Sequence, residues 1–262
     1  MPRFAANLTL LFTELPFPER FSAARAAGFE GVEYLFPYAW PAEELAFWLN
    51  AEGLAQVLFN LPAGDWQGGE RGIACLPDRV AEFQAGVEQA MTYARALDCP
   101  RVNCLAGIVP AQLSFEQCWS TLVDNVRWAA DQFSRAGLTL CVEAINSRVD
   151  IPGFLLDCSA RARALIEEVD RSNVKFQYDL YHMQIMEGDL IRTLEQMLPI
   201  IGHVQFADNP GRHEPGTGEI NLGAVFAALD AMGYDGWVSA EYHPLTTTTE
   251  GLDWLQKRGN AS

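Results

Sequence analysis

The stretch that decides the fold is Leu138-Thr-Leu-Cys-Val-Glu-Ala-Ile-Asn146. β-Branched and apolar residues run up to a carboxylate and then break into polar residues, the pattern of a buried strand. A carboxylate closing an apolar run must be paired, hydrated or metal-bound, because an isolated buried charge is costly. Three later stretches repeat the pattern. Val174-Lys-Phe-Gln-Tyr-Asp179 ends in Asp179, Gly202-His-Val-Gln-Phe206 carries Gln205, and Gly236-Trp-Val-Ser-Ala-Glu-Tyr242 ends near Glu241. Four successive strands ending in oxygen-bearing side chains point to one shared site.

Outward from these four, strand and helix patterns alternate along the whole chain. Strands are expected at Phe4 to Leu11, Gly31 to Phe36, Leu54 to Phe59 and Arg101 to Leu105, with helices at Phe17 to Ala27, Pro41 to Ala51 and Leu76 to Leu97. Ser114, with Gln117 three positions on, predicts a capping box and a long helix ended by Gly137. Helices are then expected at Ser159 to Val169, Glu187 to Leu198, Leu222 to Met232 and from about Thr248. Residues 60–75, "NLPAGDWQGGERGIAC", form a loop too long for a simple connection. Such loops are usually functional, and Trp66 and Arg71 favour that reading. Eight β-α units predict an α/β fold, a single (β/α)8 TIM barrel spanning residues 1–262 as one domain. A doubly wound open sheet is the competitor, but Gly-x-Gly-x-x-Gly after the first strand is absent.

The chain has 262 residues, 49% of them hydrophobic, enough for a sizeable core. Its 18 basic and 34 acidic residues give a net charge of −16, which repels phosphate backbones and anionic membranes. No nucleic acid and no membrane partner is expected. Cys75, Cys99, Cys104, Cys118, Cys141 and Cys158 form no Cys-x-x-Cys pair, so reduced thiols and a cytoplasmic location are expected. The opening Met-Pro-Arg-Phe-Ala-Ala-Asn does not read as a signal peptide. Exposed Trp and Tyr near loops would suit a subunit interface, so a homo-oligomer stays open.

In a barrel, chemistry sits at the carboxyl ends of the strands. Glu143, Asp179, Gln205 and Glu241 form an all-oxygen set, which suits Mg²⁺ or Mn²⁺ better than Zn²⁺. The ordinary alternative is four rim residues solvated at the mouth. Adjacent strands cannot supply one flat ring, so the four must meet at staggered heights. One divalent ion could bind a ketone oxygen and its neighbouring hydroxyl and acidify the C–H between them. A carboxylate could then move the proton. Arg71, Arg212, His182 and His213 are candidate partners for an anionic substrate. His203, two residues before Gln205, reads as an interior histidine one layer down, and Tyr178 and Phe206 as packing.

With these residues in hand, the chain resembles the hydroxypyruvate isomerase family, a branch of the xylose isomerase-like barrels that includes 2-oxotetronate isomerases. The resemblance covers nearly the whole chain. It rests on "RFAANLTLLFTE" (3–14), "FEGVEYLFPY" (29–38), "NLPAGDWQGGERGIACLP" (60–77), "YDLYHMQIMEGDL" (178–190), "GHVQFADNPGRHEPGTGEIN" (202–221) and "GWVSAEYHP" (236–244). It implies metal ligands at Glu143, Asp179, Gln205 and Glu241, with Glu143 and Glu241 as the catalytic proton donor and acceptor. Ketose 3-epimerases of the same superfamily imply substrate contacts at His182 and Arg212. The hydroxypyruvate branch often has Glu-Pro-Ile-Asn where this chain has Glu143-Ala-Ile-Asn146, a change that leans towards the oxotetronate branch. It often has Glu-Tyr-Lys-Pro where this chain has Glu241-Tyr-His243-Pro.

The expectation is therefore a metal-dependent isomerase, of the aldose–ketose type, interconverting hydroxypyruvate and tartronate semialdehyde through an enediol(ate). A 2-oxotetronate isomerase or a ketose 3-epimerase on the same site is the alternative, with a small 2-oxo acid or ketose as substrate. A nuclease of the endonuclease IV kind would need more histidines than four and a basic groove. A barrel that binds a sugar acid without turning it over is the remaining option.

Overall fold

The computed structural model describes residues 2–256, so Met1 and 257–262 of the expected domain lie outside the described residues. Eight parallel strands close into one barrel in sequence order. They are β1 (Arg3–Asn7), β2 (Gly31–Glu33), β3 (Ala55–Asn60), β4 (Arg101–Cys104), β5 (Thr139–Glu143), β6 (Val174–Asp179), β7 (Ile201–Phe206) and β8 (Trp237–Ala240). Between and after them run α1 (Glu19–Ala26), α2 (Ala42–Glu52), α3 (Val80–Ala96), α4 (Phe115–Arg135), α5 (Ser159–Val169), α6 (Leu180–Met186), α7 (Leu190–Met197), α8 (Leu222–Ala231) and α9 (Asp253–Gln256). No helix among the described residues is long and apolar enough to cross a membrane.

The chain makes these elements for local reasons. Alternate strand residues such as Val102, Val142, Tyr178, Val204, Phe206 and Val238 are buried in the layer beneath the helices. Phe206 packs edge-on to Phe226 of α8 and Trp254 of α9, at 5.0 and 5.1 Å between ring centroids. The capping box of α4 is present, with Ser114 and Gln117 each bonding the other's backbone N–H. Strand ends fall short of the sequence expectation on β1, β2 and β4, because pairing stops where the chain turns over the barrel mouth.

One helix differs in kind. The expected helix from Glu187 to Leu198 is α7, which starts only at Leu190, and an unexpected helix, α6, precedes it; Gly188 and Asp189, between the two, both have positive φ. α6 starts directly after Asp179, which ends β6 and caps the helix. It has only seven residues, too few for helical periodicity to emerge from the sequence.

The other strand face turns into the barrel. Two residues below Asn7, Glu33, Glu143 and Gln205 lie Ala5, Gly31, Cys141 and His203, one layer lower. Ala5, Val57, Leu58, Cys141 and Trp237 form a small apolar cluster separate from the main core. Gly31 makes room for it: a Cβ there would stand 2.9 Å from the Trp237 ring and 2.8 Å from Val57. The layer below the carboxylates is thus mixed: this apolar cluster shares it with the buried His203, Gln177 and Ser239.

Candidate active site

Every strand finishes in a polar side chain. Asn7, Glu33, Asn60, Glu143 and Asp179 are the last residues of β1, β2, β3, β5 and β6. Asn103 and Gln205 come one before the ends of β4 and β7, and Glu241 directly follows β8. All eight are 5% exposed or less, so the reading of solvated rim residues does not hold. The heights are staggered as expected: Glu143 pairs with Gln177, Asp179 with Gln205, and Gln205 with Ser239, two residues before Glu241.

The four expected ligands are placed unequally. Glu143, Asp179 and His182 offer donor atoms all within 4.8 Å of one another, and this cluster could hold a metal ion. Glu241 joins it through Arg212, whose Nη2 lies 2.7 Å from Glu241 Oε2 and 3.8 Å from Asp179 Oδ2. Gln205 is level with Asp179, but its amide is already engaged. Its Nε2 donates to Glu33 Oε1 at 2.7 Å, and its Oε1 accepts from Gln177 Nε2 at 2.5 Å. Glu33 thereby fixes which way the amide faces, and Oε1 keeps one lone pair for another partner.

Asp179 does two things at once. Its Oδ1 accepts from the backbone N–H groups of Tyr181 and His182 and so starts α6. Its Oδ2 is buried with no hydrogen-bond partner. A buried carboxylate oxygen without a donor is what a hard cation would satisfy. The donor set therefore fits a divalent ion.

Electrostatics agree with a site built for added positive charge. Burial, and then the charge of Asp179, push the Glu143 carboxyl up to about 8. Burial likewise raises Glu241 well above, and Asp179 above, the usual carboxylate range, with Arg212 opposing both. Burial and then Arg212 hold the His182 imidazole well below its ordinary value, hence neutral. Burial works against the charge of Arg212, but Glu241 and Asp179 outweigh it and hold the guanidinium protonated.

Four polar residues of the barrel mouth escape the reading of the four strands. Asn103 Nδ2 donates to Glu143 Oε2 at 2.8 Å and to Asn60 Oδ1 at 3.1 Å. Asn7 Nδ2 donates to both Glu33 Oε1 and Glu241 Oε1, each at 3.0 Å. Glu33 pairs with His203 Nε2 at 2.7 Å, both fully buried. Burial alone would raise Glu33, but His203 and then Gln205 outweigh it and hold the carboxyl below its usual range. The signal was present: an acid or amide closes β1 to β4 as it closes β5 to β8. His203 is interior, and Tyr178 and Phe206 are packing, as expected.

Above these groups lies a cavity of about 330 Å³, lined among others by Glu143, Glu241, His182, Arg212, Trp66 and Arg71. Arg71 stacks on Trp66, 4.3 Å from the ring centroid, and its Nη1 bonds the carbonyls of Trp66 and Glu70. Gly72 lets this loop close on the barrel. Its φ is +110°, and a Cβ would meet the Leu105 carbonyl oxygen at 2.3 Å. His213 does not line the cavity; its Nδ1 lies 2.7 Å from the His243 carbonyl oxygen.

Two comparisons decide the lineage. The xylose isomerase-like TIM barrel family matches residues 21–258. The hydroxypyruvate isomerase of Escherichia coli (strain K12) is 51% identical over 97% of this chain and 98% of its own. The chain belongs to the hydroxypyruvate isomerase family. Within it, the 2-oxo-tetronate isomerase of Cupriavidus necator is 44% identical, covering 98% of each chain. A crystal structure from Brucella melitensis, named as an AP endonuclease, family 2, superposes with a TM-score of 0.96 at 46% identity, over 98% of this chain and 99% of that one.

One expectation fails on the outer surface. None of the tryptophans and tyrosines is exposed. The exposed large apolar side chains among the described residues are Phe47, Phe115, Val149, Ile191 and Leu245. The aromatic rings pack inward, as Phe17 does between Tyr34 and Trp40.

Proposed function

We propose that this isomerase interconverts hydroxypyruvate and tartronate semialdehyde, with Glu143 and Glu241 moving the proton. The observation that carries the reading is the way these two glutamates are held. Each has one oxygen tied by an asparagine from the neighbouring strand, Asn103 on β4 for Glu143 and Asn7 on β1 for Glu241. Both line the same cavity. Burial raises both carboxyls above the usual carboxylate range, which makes each a better proton acceptor.

The chemistry balances between two carbons. One glutamate takes a proton from C3, and a proton is returned to C2. The hydroxyl proton passes from O3 to O2 through the enediol(ate). His182, Arg212 and Arg71 hold the substrate's oxygens and carboxylate. Glu143, Asp179, Gln205 and Glu241 would hold one divalent ion, Mg²⁺ or Mn²⁺, which when bound polarises the carbonyl and acidifies the C–H. The buried, unpartnered Asp179 Oδ2 supports that set. The protein is read as cytoplasmic, since all six cysteines are free thiols.

A four-carbon 2-oxo acid is the second reading. Ala144, where the hydroxypyruvate branch often has proline, favours it. So does the cavity, whose roughly 330 Å³ lies in the range of small-molecule sites and leaves room for another carbinol carbon. A nucleic-acid substrate is disfavoured by the net charge of −16 and by the carboxylates of the mouth.

A panel of 2-oxo acids and ketoses, assayed with and without chelator, tests both readings. Isomerisation of a 2-oxo acid, lost with chelator and restored by Mg²⁺ or Mn²⁺, is expected. Epimerised ketose as the main product, with solvent deuterium on a single carbon, would replace the isomerase reading with the epimerase one.

A further inference from the structure

Asn146 lies three residues past Glu143, in the loop leaving β5, and is fully buried. Its carboxamide makes four hydrogen bonds. Oδ1 accepts from the backbone N–H of Val149 at 3.0 Å and of Asp150 at 2.9 Å. Nδ2 donates to the Asp150 carboxylate. The same Nδ2 stands 2.7 Å from Nδ1 of His182. The amide cannot be turned over. Rotation would set its NH₂ against two backbone N–H groups and its oxygen against a carboxylate.

The nitrogen of that amide is therefore the atom facing His182, and an amide nitrogen only donates. Nδ1 must accept, so the imidazole carries its proton on Nε2. Asp150 Oδ2, at 3.7 Å from Nδ1, is beyond hydrogen-bond range and does not compete. On the other side of the ring, Nε2 lies 3.5 Å from Asp179 Oδ2 and 4.0 Å from Glu143 Oε1, at the cavity wall.

We infer that Asn146 is a positioning residue that locks His182 as its Nε2–H tautomer, making the imidazole a hydrogen-bond donor to a substrate oxygen rather than a ligand to a cation. A nitrogen that carries a proton has no lone pair to give a metal. Of the cluster Glu143, Asp179 and His182, only the two carboxylates then remain to hold an ion. The catalytic consequence rests on the isomerase reading, whereas the tautomer does not.

Long-range ¹H–¹⁵N correlation on the ¹⁵N-labelled protein, with and without Mg²⁺, reads the tautomer directly. The chain has four histidines, and His182→Gln identifies the signal. A bare Nδ1 and a protonated Nε2 are expected in both conditions. A proton on Nδ1, or on both nitrogens, overturns the inference. The double variant Asn146→Asp/Asp150→Asn keeps the charge but offers His182 a carboxylate. It should move the proton to Nδ1 and lower kcat about 10²-fold, the scale for losing one aimed donor, with a smaller change in KM. Asp150→Asn alone should keep the proton on Nε2; reversal there would assign the lock to Asp150 and overturn the role of Asn146. Reversal in the double variant with kcat intact overturns the positioning role and leaves the isomerase reading standing. The expected wild-type tautomer in a protein that isomerises no 2-oxo acid supports the lock and sinks the isomerase reading instead. If the double variant does not fold, the wild-type spectrum decides.

Discussion

The two halves of the barrel mouth use the same backbone positions for different ends. β5 to β8 present Glu143, Asp179, Gln205 and Glu241, whereas β1 to β4 present Asn7, Glu33, Asn60 and Asn103. The later half is short of donors: two carboxyls are held high, and Asp179 Oδ2 has no partner. The earlier half is closer to complete: of its four side chains only Asn103 has a buried atom, Oδ1, without a hydrogen-bond partner. Its outer amides, Asn103 and Asn7, bond the glutamates next to them on the adjoining strands, and its one acid is paired with His203. One half holds reactive groups in an unrelieved state, and the other fixes where they point.

The sharpest way to break this division is Glu143→Gln or Glu241→Gln. Each keeps the shape and removes the proposed proton carrier. We expect kcat to fall by about 10²–10⁴-fold in a coupled isomerisation assay, with the fold intact by circular dichroism. Undiminished turnover in both would remove the later half from the chemistry.

Glu33→Gln tests the supporting half. Removing the charged partner from a buried hydrogen bond costs about 1.5–3 kcal/mol, so urea unfolding should show a clear loss of stability at pH 7. The sign with pH follows from the lowered carboxyl. Its contribution is full above the unfolded pKa of roughly 4.3 and is lost as pH falls through the lower folded value. The gap between wild type and Glu33→Gln should therefore narrow only below about pH 4. A gap that does not narrow there would mean that Glu33 is not held as the anion.

The smallest effect is expected from Asn103→Ala. It removes the donor to Glu143 Oε2, a hydrogen bond to a charged group worth about 1.5–3 kcal/mol, and should lower kcat by roughly tenfold. Loss of that donor raises the Glu143 carboxyl further, so the acid limb of the pH–rate profile should move to higher pH. An unmoved limb would separate Glu143 from that limb.

Much of this division could be read from the chain. Glu143 and Asp179 each close a run of apolar residues, and burial converts that pattern into a site. Asn7, Glu33 and Asn103 close similar runs, but their strands are short and amides are less conspicuous than acids among apolar neighbours. The pairing of Glu33 with His203 joins residues 170 positions apart, so only barrel closure brings it about. The Asn146 contact with His182 depends on a loop whose path is set by the backbone bonds of Val149 and Asp150, which no periodicity announces. α6 was lost because a strand runs into a helix at Asp179 with no intervening turn.

The indole of Trp237, admitted by Gly31, packs apolar surface beneath the carboxylates. If Glu143 and Glu241 carry the proton as proposed, the cavity they line is the side from which bulk water reaches them. The share of isotope carried from one carbon to the next during a turnover would then report how well a bound acid screens that side.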